Sequence, residues 1–150
     1  MPDTWIIPTE DHILTRVSGV ELAAFRNTVL GDGQTDPVAG TIAIVVNMMR
    51  GYIFNCPTVK KEDHEEGTLP ASAINTFLDI IVPTIQMRPA GAVIEGTNGI
   101  RLDARSDAMR WLKAAAACEV AVDGVPPPEK PGAPIPKPIM IKRKRPNYGI

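Results

Sequence analysis

The last 27 residues, GVPPPEKPGAPIPKPIMIKRKRPNYGI, hold 8 of the 15 prolines and cannot build a core. Proline lacks a backbone donor and has a fixed φ, so a stretch this rich in it suits neither a helix interior nor a central strand. Any fold of this 150-residue chain must come from residues 1–123. Charge divides the chain at the same place. Residues 124–150 carry six basic side chains against Glu129, a net +5, which leaves −6 on residues 1–123. The chain reads as an acidic body, 1–123, joined to a basic Pro-rich arm, 124–150. The body is long enough for one hydrophobic core. Because only 5% of the residues are aromatic, that core must rest mainly on Ile, Val, Leu, Ala and Met.

The apolar spacing predicts an all-α body, a small bundle of four to five helices. Thr9 followed by Glu10 and Asp11 marks a first helix start, with acids where the helix dipole favours them. Ser18 with Glu21 forms a capping-box pattern and restarts the chain as a second short helix. Asp36-Pro37 opens a longer helix through about Phe54, with an N-cap acid and proline at its first position. Ile42, Val45, Val46, Met49 and Ile53 form one apolar side of it, and Ile44, Met48 and Tyr52 a second. A helix apolar on two sides is either central in the core or shared with a neighbour. We take Ile44, Met48 and Tyr52 as candidate subunit-interface residues. A further helix is expected from Thr68-Leu69-Pro70, with Ile74, Phe77, Leu78, Ile81, Val82 and Ile85 on one face and a kink or end at Pro83. Asn98-Gly99 predicts a tight turn, so the segment near 92–103 reads as a β-hairpin or a long loop. The last helix is then capped at Asp103 or Ser106, with Ala108, Trp111, Leu112, Ala115 and Ala116 on one face.

No motif for chemistry stands out. The chain has no Walker-type phosphate loop, nucleophile elbow, HExxH or GxGxxG. Asp63-His64-Glu65-Glu66 holds metal-ligand types, but adjacent residues rarely converge on one ion, and a solvated loop explains them. Gly31-Asp32-Gly33 lacks the order of a calcium loop. Cys56 and Cys118 show no metal or redox spacing and are expected as reduced core thiols. Met1–Thr9 lacks the basic start and long apolar stretch of a secretory leader, and no apolar run reaches the ~18 residues of a membrane span. The expectation is a non-enzymatic protein without cofactor, metal or membrane partner, made in a reducing cytoplasm.

The arm admits three uses. It can be a solvated tail, a nucleic-acid contact through Lys142, Arg143, Lys144 and Arg145, or a docking arm for another protein. Ile135, Ile139, Met140 and Ile141 precede the basic run and Tyr148 follows it, which favours docking, since a solvated tail has little use for apolar anchors. Proline also preorganises an extended backbone and lowers the entropy lost on docking. The PxxP spacings from Pro128 to Pro134 fit an SH3-type ligand, a pattern common by chance in proline-rich stretches.

Several short motifs occur in order: Thr9-Glu10-Asp11-His12-Ile13-Leu14-Thr15-Arg16, Val20-Glu21-Leu22, Arg50-Gly51-Tyr52-Ile53, Leu69-Pro70, Arg88-Pro89 and Ala108-Met109-Arg110-Trp111-Leu112. In this order the body, about residues 3–122, resembles the small helical head–tail connector (neck adaptor) proteins of tailed bacteriophages, particularly a Mu-like group. Residues 91–102 and the arm look like elaborations on that pattern. The resemblance implies a homo-oligomeric ring, commonly dodecameric, in the virion neck, assembled in the cytoplasm of the infected bacterium. Its implied partners are the portal protein, the tail or a second connector protein, and genomic DNA passing through the lumen, with acidic residues facing that DNA. The alternative is a nucleic-acid-binding accessory protein that uses the basic arm.

Overall fold

A computed structural model describes residues 4–29, 35–86 and 98–122. In chain order its elements are β1 (Trp5–Ile6), α1 (Glu10–Leu14), α2 (Gly19–Val29), α3 (Pro37–Ile53), β2 (Leu69–Pro70), α4 (Ile74–Gln86) and α5 (Asn98–Ala116). The arm, with Ile135, Ile139, Met140, Ile141, Lys142, Arg143, Lys144, Arg145 and Tyr148, lies outside the described residues, as do residues 30–34 and 87–97.

The helix starts follow local chemistry. The backbone N–H of Thr9 donates to His12 Nδ1 at 3.1 Å, so a histidine fills the reciprocal position of the capping box that starts α1. Glu21 Oε2 accepts from the Ser18 N–H at 3.0 Å, and the Glu21 N–H donates to Ser18 Oγ at 3.3 Å, the expected box at the start of α2. Asp36 Oδ1 accepts from the Val38 N–H at 3.0 Å, with Pro37 in the first turn of α3. Arg26 on α2 then joins two of these starts. It donates to Glu10 Oε2 at 2.5 Å and to Asp36 Oδ2 at 3.0 Å, holding α1 and α3 to α2. Those carboxylates raise the Arg26 pKa, and Arg26, followed by the Val38 N–H, lowers that of Asp36.

Helix α4 is the centre of the body. It touches α1, α2, α3 and α5, and Phe77, Leu78, Ile80, Ile81, Val82 and Ile85 are all buried. It does not end at Pro83 but runs to Gln86. Proline supplies no donor to the preceding turn, and the Thr84 hydroxyl donates to the Ile80 carbonyl there at 2.8 Å. Ala108, Leu112 and Ala115 of α5 are buried in the common core with Leu22, Phe25, Met49 and Ile53.

Three expectations need correction. Leu69-Pro70 does not open a helix. It pairs antiparallel with Trp5–Ile6, and α4 starts only after a 3-10 turn at Ala71–Ala73. The cause is tertiary: the N-terminal segment lies alongside, and the Ala71 N–H donates to the Thr4 carbonyl at 2.9 Å. Asn98-Gly99 is not a hairpin turn either. Helix α5 begins at Asn98, so Asp103 and Ser106 lie within it and do not cap it. From Ile100 to Ala116 the chain has no glycine or proline and is rich in Ala, Leu, Arg and Lys, and this propensity carries the helix back past the turn signal. The part of the 92–103 segment before Asn98 lies outside the described residues.

The third correction concerns the cysteines. Cys56 and Cys118 form a disulfide, with Cα atoms 5.3 Å apart. Cys56 follows the end of α3 and Cys118 the end of α5, so the C-terminal ends of the two helices meet. Cys118 has φ 56°. Its N–H donates to the Ala115 carbonyl at 3.0 Å and the Glu119 N–H to the Ala114 carbonyl at 2.8 Å, a Schellman stop. Glycine usually takes this left-handed position, and another residue there costs roughly 1 kcal/mol. Here the position carries the cross-link.

Candidate functional site

The 17 residues of α3 contain one charged side chain, Arg50, and it points inward with 6% exposure. The side of α3 that faces away from α4 therefore has no charge. Ala39, Gly40, Ala43, Ile44, Asn47 and Gly51 are exposed along it, and Met48 and Tyr52 are half-buried at its edge. Of the proposed interface residues, Ile44 is 68% exposed at the middle of this face, while Met48 and Tyr52 flank it and pack partly against the core. The central position in the core belongs to α4, which leaves the second side of α3 facing outward.

Two glycines on this face have no neighbour among the described residues that explains them. Gly40 and Gly51 are eleven residues apart, which returns to the same side of a helix within about 20°. A β-carbon at either position would meet nothing within 4 Å. Each costs the helix about 0.5–1 kcal/mol relative to alanine. A residue without a side chain allows close backbone approach, and nothing in the described body makes such an approach here. The spacing was readable in the sequence. Only burial shows that both glycines face out.

Grooves run along both edges of the face. One, of about 380 Å³, lies between α3 and α5 and is lined by Met48, Gly51, Tyr52, Asn55, Lys113 and Ala116. The other, of about 490 Å³, has Ile7, Pro8, Ile42, Ala43 and Val46 as an apolar floor and Glu66 on its rim. Ile7 is 60% exposed, so the apolar surface continues from the helix onto the N-terminal segment.

Arg50 fixes the position of that rim. Its Nη1 donates to the carbonyls of Glu65 at 2.8 Å and Thr68 at 2.6 Å, which pins the 60–68 connector against α3. The guanidinium lies 4.8 Å from the Phe54 ring centre and 5.8 Å from that of Trp5. Trp5 stacks with Phe54 at 5.7 Å and with His64 at 3.7 Å, and Phe54 and His64 are 6.3 Å apart. Burial pushes the Arg50 pKa down, opposed by the carboxylate of Glu66. The Nη2 atom is buried with no hydrogen-bond partner among the described residues, and the aromatic faces supply part of the missing stabilisation. Sequence reasoning missed this role, because an arginine in a helix ordinarily reads as a solvated side chain.

His64 thus belongs to a ring stack, and His12 to a helix start. Among the described residues no three His, Cys, Asp or Glu side chains gather as metal ligands, and no helix is long and apolar enough to cross a membrane. What the outer side of α3 offers is an uncharged surface about 25 Å long, the length of a 17-residue helix. No family model, curated protein or solved structure matches the chain.

Proposed function

We propose that this chain is a structural subunit of a tailed-phage neck, forming a homo-oligomeric ring between the portal and the tail or next connector and docking through its C-terminal arm. The observation that carries this reading is the outer face of α3: uncharged, with Ile44 exposed and two glycines against which no described residue packs. A surface of this kind is costly on a monomer and is stabilised by a close neighbour. A closed ring gives every copy the same neighbour on each side, so one pair of complementary surfaces suffices. The ordered motifs shared with neck adaptors support the phage setting, and the opposite charges of body and arm support contact between different copies or rings.

The test is assembly. The full chain should run as a multimer in native mass measurements, and Ile44→Asp should reduce it to single chains with the helical signal unchanged. In an infected host, Ile44→Asp should also be missing from purified particles. A wild-type chain that stays monomeric at high concentration and is absent from particles would overturn the proposal. Tight, steeply salt-dependent DNA binding that disappears on neutralising Lys142–Arg145 would move the function to the nucleic-acid reading instead.

A further inference from the structure

We infer that the apolar stretch 135–141 of the arm docks on the outer face of α3 in a neighbouring copy, in the groove between Ile7 and Ala43, with the basic run 142–145 against the acidic rim at Glu66. The inference rests on the self-assembly reading above and names the receptor of the arm.

Three observations converge on this occupant. The first is chemical match. The groove has an apolar floor, with Ile42 and Val46 at its base, and a carboxylate at its edge. The arm presents Ile135, Ile139, Met140 and Ile141, followed at once by Lys142, Arg143, Lys144 and Arg145. Apolar residues followed by cations are what an apolar floor beside Glu65 and Glu66, both exposed, would accept.

The second is shape. An extended segment lying along a helix needs its backbone close to the helix surface. Ala39 and Ala43 keep the surface low on the groove side, and both are exposed. The α3 residues that line the groove run from Ala39 to Asn47, about 12 Å of helix, which about four extended residues such as 138–141 match at about 3.1–3.3 Å each.

The third is reach, which allows a neighbouring copy. The disulfide holds Cys118 beside Cys56, so the described chain ends at Val122, a few residues from the C-terminal end of α3. Residues 123–134, which include five prolines, separate Val122 from Ile135. In the polyproline form these twelve residues cover on the order of 37 Å. That is longer than α3 itself, so the anchor can cross to the groove of the adjacent copy that the ring reading supplies.

The test places a photo-reactive benzoylphenylalanine at position 139 of the full-length chain and mixes it with an isotope-labelled copy. The expected product joins position 139 to the 39–47 segment of the other isotope. Ala43→Trp, an exposed position, should cut that product at least tenfold without moving the thermal midpoint, and Glu66→Lys should cut it several-fold. Cross-links only within one copy, cross-links to another surface, or none would each overturn the inference. A multimer whose arm cross-links elsewhere removes this receptor and leaves the ring reading standing. A monomer that never cross-links between isotopes removes both.

Discussion

Helices α3 and α4 lie against each other and are both rich in apolar residues, but their own subunit uses them differently. In α4, Phe77, Leu78, Ile80, Ile81, Val82 and Ile85 are all buried, because four other helices surround it. In α3, one side enters the core through Val38, Val45, Met49 and Ile53, while the other exposes Ile44 and two glycines. The first helix is explained by folding. The outward side of the second has no covering partner among the described residues. Apolar content alone therefore does not separate a helix that its own fold surrounds from one that keeps an outward side. What separates them is whether the small and apolar residues have neighbours within the chain.

Substitutions in the two helices test this contrast, starting with the largest effect. Phe77→Ala should cost about 3–5 kcal/mol, read as a fall in the denaturant midpoint, because the ring is fully buried and leaves a cavity. A loss below ~1 kcal/mol would show that α4 is not the centre of the body. Next comes the tie between α3 and α5. Reducing the Cys56–Cys118 bond, which closes a loop of sequence separation 62, should lower stability by about 2–4 kcal/mol. An unchanged midpoint under reductant would mean that packing alone holds the two helix ends together.

Gly51→Ala should stabilise the isolated subunit by about 0.5–1 kcal/mol, since its β-carbon meets nothing. If the glycine serves a close contact, the same change should weaken assembly, so stability and association should move in opposite directions. Ile44→Ala belongs at the small end, within about 0.5 kcal/mol in chemical denaturation, because the side chain is mostly exposed. A large destabilisation of the monomer would place that side of α3 inside the fold and end the contrast with α4.

The smallest effect concerns the Arg26 clamp. Asp36 has a lowered pKa in the folded state, so it contributes stability above its unfolded value, about 3.9, and that contribution is lost as pH falls through the folded value. Arg26→Gln should flatten the stability profile below about pH 4 and leave it nearly parallel to wild type near neutrality. Both groups are partly exposed, so solvent and salt keep the effect modest.

Much of this could be read locally. Ser18 with Glu21 and Asp36 with Pro37 announced their helices because capping bonds span two or three residues. The Phe77–Ile85 repeat announced α4 for the same reason. The interface candidates Ile44, Met48 and Tyr52 were visible as a second apolar side, but whether that side was core or surface was not. Apart from Asn98-Gly99, where local helix propensity overrode a turn signal, the errors involve partners far along the chain. Leu69-Pro70 carries a helix-start signal, yet Trp5–Ile6 makes it a strand. Cys56 and Cys118 have no telling spacing, yet the meeting of α3 and α5 joins them. Arg50 carries no sign of burial, yet the carbonyls of Glu65 and Thr68 and the ring of Phe54 receive it.

The sequence by itself determined the change of composition and charge after residue 123, the helical character of residues 1–123 and most helix starts, because these depend on composition and on contacts a few residues apart. The tertiary structure decided which apolar surface stays outside. It also decided that the exit of the arm is fixed beside the end of α3 by a disulfide, and that a buried arginine holds the acidic rim in place. Those outcomes depend on which distant segments exclude water together, and no local pattern carries that free energy.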